Sequence, residues 1–71
     1  MEYFIVTETQ INNGTPSALV TVFNDKDNAF AKYFTILSAA AISKIELHGA
    51  IIETIDGVTL ESYVFDRREE E

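Results

Sequence analysis

Apolar residues in this chain fall into four short runs and one longer periodic stretch. Residues 3–9, 18–23, 44–54 and 58–66 are rich in β-branched and aromatic types, which mark strands. Between the second and third runs, Phe30, Tyr33, Phe34, Leu37, Ala40 and Ala41 recur at the spacing of one helix face. Asn24 is a good N-cap, and Asp27 three residues on resembles a capping box with a shorter acid, so a helix is expected over about residues 25–41. Ala39-Ala40-Ala41 allows its backbone to approach a sheet closely.

Turn chemistry joins the runs in pairs. Asn13-Gly14 and Asp56-Gly57 are both hairpin signals. A two-residue turn at Asn13-Gly14 sets Ile5 opposite Val22 and Phe4 opposite Phe23. At Asp56-Gly57 a two-residue turn pairs Ile52 with Glu61, and a three-residue turn pairs Ile52 with Leu60. Gly49 marks a bulge or a close backbone contact. The order is β-β-α-β-β, an α+β fold with a four-stranded antiparallel sheet and one helix packed on one face. Residues 1–66 are expected to form one domain, and 67–71 a charged tail that frays.

The strands do not alternate as one-sided strands should. One face of the first hairpin holds Tyr3, Ile5, Val20 and Val22, and the other holds Phe4, Val6, Leu19 and Phe23. One helix covers one face only, so the other needs a partner. A homodimer through the open sheet face is the expectation, with Ile52, Tyr63 and Phe65 as interface residues because aromatic anchors dominate such contacts.

Size points the same way. A chain of 71 residues buries only roughly 60% of its unfolded surface. It has no cysteine for a disulfide or thiolate metal site, which leaves oligomerisation as the common source of further burial. The net charge of −7 comes from 12 acids and 5 bases. That balance argues against nucleic-acid and anionic-membrane partners; it keeps a small apolar fold soluble and would attract a basic protein. An acidic mimic of nucleic acid, blocking a basic host protein, is therefore the alternative function. With no basic n-region and apolar h-region at Met1-Glu2-Tyr3 and no long apolar span, the expected location is cytoplasmic.

Candidate chemistry is sparse. His48, the single histidine, shares a strand face with Glu46, and a base-acid pair beside Ser62 or Tyr63 would make a small enzyme. No nucleophile elbow or triad spacing supports it. Asp25, Asp27 and Asn28 open like a calcium loop, but Phe30 and Ile36 stand where glycine and glutamate belong. Single glycines exclude a phosphate-cradling loop. Tyr3, Phe4, Tyr63 and Phe65 could stack bases, yet the basic rim is missing. Glu69-Glu70-Glu71 reads as a solubilising end or an acidic interaction tail. The expectation is a non-enzymatic interaction protein without a cofactor.

Residues 31–43 (Ala-Lys-Tyr-Phe-Thr-Ile-Leu-Ser-Ala-Ala-Ala-Ile-Ser), followed by His48-Gly49-Ala50 and Asp56-Gly57, resemble a family of short bacterial proteins. These occur in gut Firmicutes and are associated with phage or other mobile elements. The family pattern has Lys-Tyr-His, Ala-Ala-x-Ser and a later histidine before alanine, and Phe34 replaces its first histidine. The family carries no assigned activity, so the resemblance transfers no catalytic residue. It implies a bacterial or phage origin and a cytoplasmic setting.

Overall fold

The computed structural model describes residues 2–68. Its elements are β1 (Phe4–Asn12), β2 (Thr15–Phe23), α1 (Lys26–Ser43), β3 (Leu47–Thr54) and β4 (Thr59–Asp66). The four strands form one antiparallel sheet in the order β2-β1-β3-β4, with α1 packed on it. β1 and β3 are therefore central, and β2 and β4 are the two edges.

Both turns behave as their residues require. Asn13 and Gly14 sit at φ 56° and 80°, the left-handed pair whose twist suits a two-residue hairpin. The register follows, with Phe4 opposite Phe23 and Ile5 opposite Val22. The second hairpin uses both of its possible registers. Near the turn, Gly57 N donates to Thr54 O and Thr54 N to Val58 O, both at 2.9 Å, which closes a three-residue loop, and Glu53 faces Thr59. The ladder then shifts, and Ile52 faces Glu61. Leu60 is the extra residue, so the sheet absorbs the odd loop length as a bulge.

The helix begins one residue later than its capping pattern suggests. Asp25, not Asn24, is the N-cap. Its Oδ2 accepts from Asn28 N at 3.1 Å, and its backbone carbonyl accepts from Ala29 N. The buried stripe is also rotated, running through Ala29, Tyr33, Ile36 and Ala40, with Phe30 and Leu37 alongside. Phe34 is 57% exposed and covers the flank of Tyr33 at 5.2 Å between ring centroids. Lys44 ends the helix at φ 61°, a left-handed position more often held by glycine.

Cross-strand partners share a face, so the registers sort every strand residue. Under α1 lie the rungs Phe23–Phe4–Thr54, Thr21–Val6–Ile52–Glu61, Leu19–Glu8–Ala50–Tyr63 and Ser17–Gln10–His48–Phe65. Phe4, Val6, Ala50 and Ile52 form the core with Ala29, Tyr33 and Ile36. The open face carries Val22–Ile5–Glu53–Thr59, Val20–Thr7–Ile51–Ser62, Ala18–Thr9–Gly49–Val64 and Pro16–Ile11–Leu47–Asp66. That face is apolar and threonine-rich, and among the described strand residues its two carboxylates, Glu53 and Asp66, stand on β3 and β4.

This placement corrects the expected interface. Ile52, Tyr63 and Phe65 all lie on the helix side. Ile52 is fully buried there, so it is core and not contact surface. Tyr63 and Phe65 pack edge to face at 5.0 Å, and the Arg67 guanidinium lies 5.4 Å from the Phe65 ring centre.

Arg67 is itself a correction, because it is anchored where a frayed tail was expected. Its Nη2 donates to Ala40 O at 2.8 Å and to Ala41 O at 3.1 Å, and its backbone N donates to Glu46 O at 2.7 Å. The last turn of α1 has no basic residue of its own. Arg67 supplies the cation that the helix C-terminus attracts and satisfies carbonyls left without intrahelical donors. The expected tail Glu69-Glu70-Glu71 lies outside the described residues.

Candidate functional site

The face under α1 does not stay apolar along its length. On β1 it runs Phe4, Val6, Glu8, Gln10, and on β3 it runs Thr54, Ile52, Ala50, His48. The first half of each list meets the helix core. The second half meets the end of α1, where Ser43 is the last helical residue. Polar side chains thus converge at one buried spot.

His48 is at the centre of this cluster and is buried. Its Nε2 lies 2.6 Å from Glu8 Oε2, and its Nδ1 lies 2.9 Å from Ser43 Oγ. A carboxylate only accepts, so Nε2 carries a proton and donates to Glu8. Gln10 Nε2 donates to the same Glu8 oxygen at 3.1 Å. Gln10 Nε2 also lies 3.5 Å from His48 Nε2, a meeting of two N–H groups on one acceptor and not a bond between them. The hydrogen bond from His48 is the main reason the Glu8 carboxyl is held below its usual value of 4.5; burial opposes the shift, and Gln10 adds to it.

Ser43 has two partners, His48 Nδ1 and, at 3.3 Å, Ala40 O. With a neutral ring the hydroxyl donates to Nδ1. With a charged ring Nδ1 donates to the hydroxyl, which then donates to Ala40 O. The buried polar side-chain atoms among the described residues all have partners.

The Ser43–His48–Glu8 line has the order of a nucleophile, base and carboxylate. Among the described residues, two parts of that machinery are not in place around it. Ser43 closes a helix C-terminus, where carbonyls and not N–H donors point outward, and the Arg67 guanidinium that shares Ala40 O with it is taken up by helix carbonyls and not set for an oxyanion. The nearby cavity, about 200 Å³, is lined by Glu8, Gln10, Ser17, Ala18 and Leu19 and does not reach Ser43. The cluster ties β1, β3 and α1 together through satisfied hydrogen bonds.

Glu46 is not part of it. Its Oε1 accepts from Gly14 N at 2.7 Å, which fastens the β1–β2 turn to the residues before β3. The expected His48–Glu46 pair is replaced by His48–Glu8, and Ser62 stands on the opposite face from His48. Glu8 was legible in part, because Glu8 and Gln10 continue the parity of Phe4 and Val6. Its partner was not, because only the β1–β3 pairing brings His48 to it. Asp25, at the start of the calcium-like run, caps the helix, and among the described residues no group of carboxylates and imidazoles could hold a metal ion.

The second feature is surface. Leu19 is 63% exposed, Val20 60% and Val22 55%, so β2 presents large apolar groups on both faces. Among the described residues no helix is long and apolar enough to cross a membrane. Comparison with protein-family models, curated proteins and solved structures gave no match to this chain.

Proposed function

We propose that this chain is a small, acidic, non-enzymatic interaction protein that associates with a second copy of itself through the β1–β2 half of its sheet. The observation that carries the reading is the distribution of apolar groups and charge. Val20, Val22, Ile5 and Ile11 share the open face with Thr7, Thr9 and Ala18, and no charge interrupts them. Large exposed apolar patches on small proteins mark contact sites, and a chain this short gains most from covering one. The resemblance to short phage-associated bacterial proteins would place such a dimer in a bacterial cytoplasm.

Sedimentation velocity over a range of micromolar concentrations tests the reading. The expected result is a concentration-dependent dimer. A clean monomer throughout that range, without binding of apolar dyes, overturns it.

A role as an acidic decoy for a basic protein has weaker support, because Glu53 and Asp66 are isolated on the open face and do not form an acidic row. An enzyme built on His48 and Glu46 loses its carboxylate to Gly14 N.

A further inference from the structure

Among the described residues, only Pro16 guards the row of backbone groups on the outer edge of β2. In a two-residue hairpin the residues flanking the turn exchange both hydrogen bonds, and bonded pairs then alternate along the ladder. Asn12 and Thr15 flank the turn here. Thr15, Ser17, Leu19, Thr21 and Phe23 therefore point their backbone groups at β1. Pro16, Ala18, Val20 and Val22 point theirs outward. Pro16 has no N–H, and it stands where none is needed by β1, the position an edge proline takes. Three outward N–H groups and four outward carbonyls remain.

Native edge strands are usually blunted by charge, by proline, by a bulge or by shortness, and Pro16, at one end of the strand, is the single such device on β2. β2 has nine residues, no charged residue and an unbroken register with β1. We infer that a second copy of this chain pairs antiparallel along this edge, centred on Val20, to give one eight-stranded sheet. The inference rests on the self-association reading and moves its contact from the open face to the β2 edge, so that the apolar groups of the two open faces become one continuous surface of the joined sheet. With Val20 opposite Val20 and Ala18 opposite Val22, every outward N–H of both copies finds a carbonyl. A register centred on Leu19, with Ala18 opposite Val20 and Pro16 opposite Val22, makes as many bonds but spends one pair on Pro16, which can only accept. On the helix side the register centred on Val20 sets Leu19 against Thr21.

The self-complementary register of the edge argues for a second copy as its occupant, and the acids of the open face argue for this arrangement over a stack of the two faces. Two copies of a −7 chain repel unless their acids stay apart. The joined sheet would run β4-β3-β1-β2-β2-β1-β3-β4, with the two β3 strands five spacings apart. At about 4.8 Å per spacing that is about 24 Å, well beyond the screening length of about 8 Å at physiological salt. Stacking the open faces would instead bring the Glu53 and Asp66 sides within about 10 Å of the facing sheet.

Two substitutions and one isotope measurement test this. Val20→Pro removes one outward N–H and no bond to β1, while Thr7→Lys charges the middle of the open face and leaves the edge intact. Sedimentation is expected to show the V20P dimer dissociation constant raised about 100-fold, from one bond lost in each copy and the carbonyl each leaves unpaired. T7K should dimerise as the parent does. Should V20P fail to fold, amide exchange on the unaltered chain decides. Ala18, Val20 and Val22 are then expected to exchange slowly in the dimer, like Leu19 and Thr21, and to lose that protection on dilution. A dimer abolished by T7K but not by V20P, or one whose Ala18, Val20 and Val22 amides exchange freely, overturns the edge contact and leaves self-association standing. A chain that is monomeric throughout overturns both.

Discussion

β2 and β4 are the two outer strands of one sheet and are nearly equal in length, with nine and eight residues. They are built differently. β4 carries Glu61 and Asp66, is bulged at Leu60, and is followed by Arg67 on the helix carbonyls and Arg68 paired with Asp66 at 2.8 Å. β2 carries no charge, has a regular ladder and leaves Leu19, Val20 and Val22 mostly in water. The difference lies in what each strand packs against. β4 joins β3, which lies directly under α1, whereas β2 hangs on the outside of β1. One edge of the sheet carries charge and a bulge, and the other carries neither.

The comparison breaks most sharply in the core of the β3–β4 hairpin. Ile52→Ala removes a fully buried side chain and should cost about 2–5 kcal/mol. Leu19→Ala on β2 should stay within about 0.5 kcal/mol. Urea unfolding at low protein concentration measures both, and equal costs would mean that β2 is covered in the monomer.

The glycines differ next. A Cβ on Gly49 would lie 2.5 Å from Tyr63 O and 2.7 Å from Val64 Cα, both backbone atoms that cannot swing aside. Gly49→Ala should therefore cost about 1–3 kcal/mol. Gly14 has open space but φ +80°, so Gly14→Ala should cost about 1 kcal/mol, from conformation alone. Thermal unfolding of the two variants separates steric from conformational cost.

Two smaller effects concern the ties between the halves. Arg67→Ala should lose about 1 kcal/mol by stripping the helix carbonyls of their cation. An Arg67→Lys variant that recovers part of the loss would support the charge term. Glu8 links β1 to His48 on β3, and its carboxyl is held below 4.5 in the folded chain. Between that lowered value and 4.5 the unfolded chain binds more protons, so stability rises with pH there. The contribution is fully present above 4.5 and is lost as pH falls through the folded value. Glu8→Gln should flatten this part of the acid limb in a pH series of urea midpoints. An unchanged slope would mean that the hydrogen bond from His48 does not form in solution.

Much of the architecture is legible in the order of residues. Turn chemistry at Asn13-Gly14 carried the register of the first hairpin, and helical spacing carried α1. The helix stripe was misplaced because Phe34, as apolar as any core residue, has the wrong phase, and burial follows phase. The interface residues were misplaced because the parity of β3 and β4 says which side chains share a face but not which face meets the helix. The site was half legible. Glu8 and Gln10 break an apolar face, yet His48 comes from the other hairpin and Ser43 from the helix end.

By itself, the order of residues determined four strands, one helix, two tight turns and a surplus of apolar β surface, because those follow from periodicity and local backbone preference. Only the tertiary structure decided that β1 and β3 are central. With that choice came the buried Glu8–His48–Ser43 tie, the capping of α1 by Arg67, and the exposure of β2 on the outside. Strand order depends on which long-range pairings together bury the most apolar area and satisfy the most backbone groups, and no local stretch of the chain contains that sum.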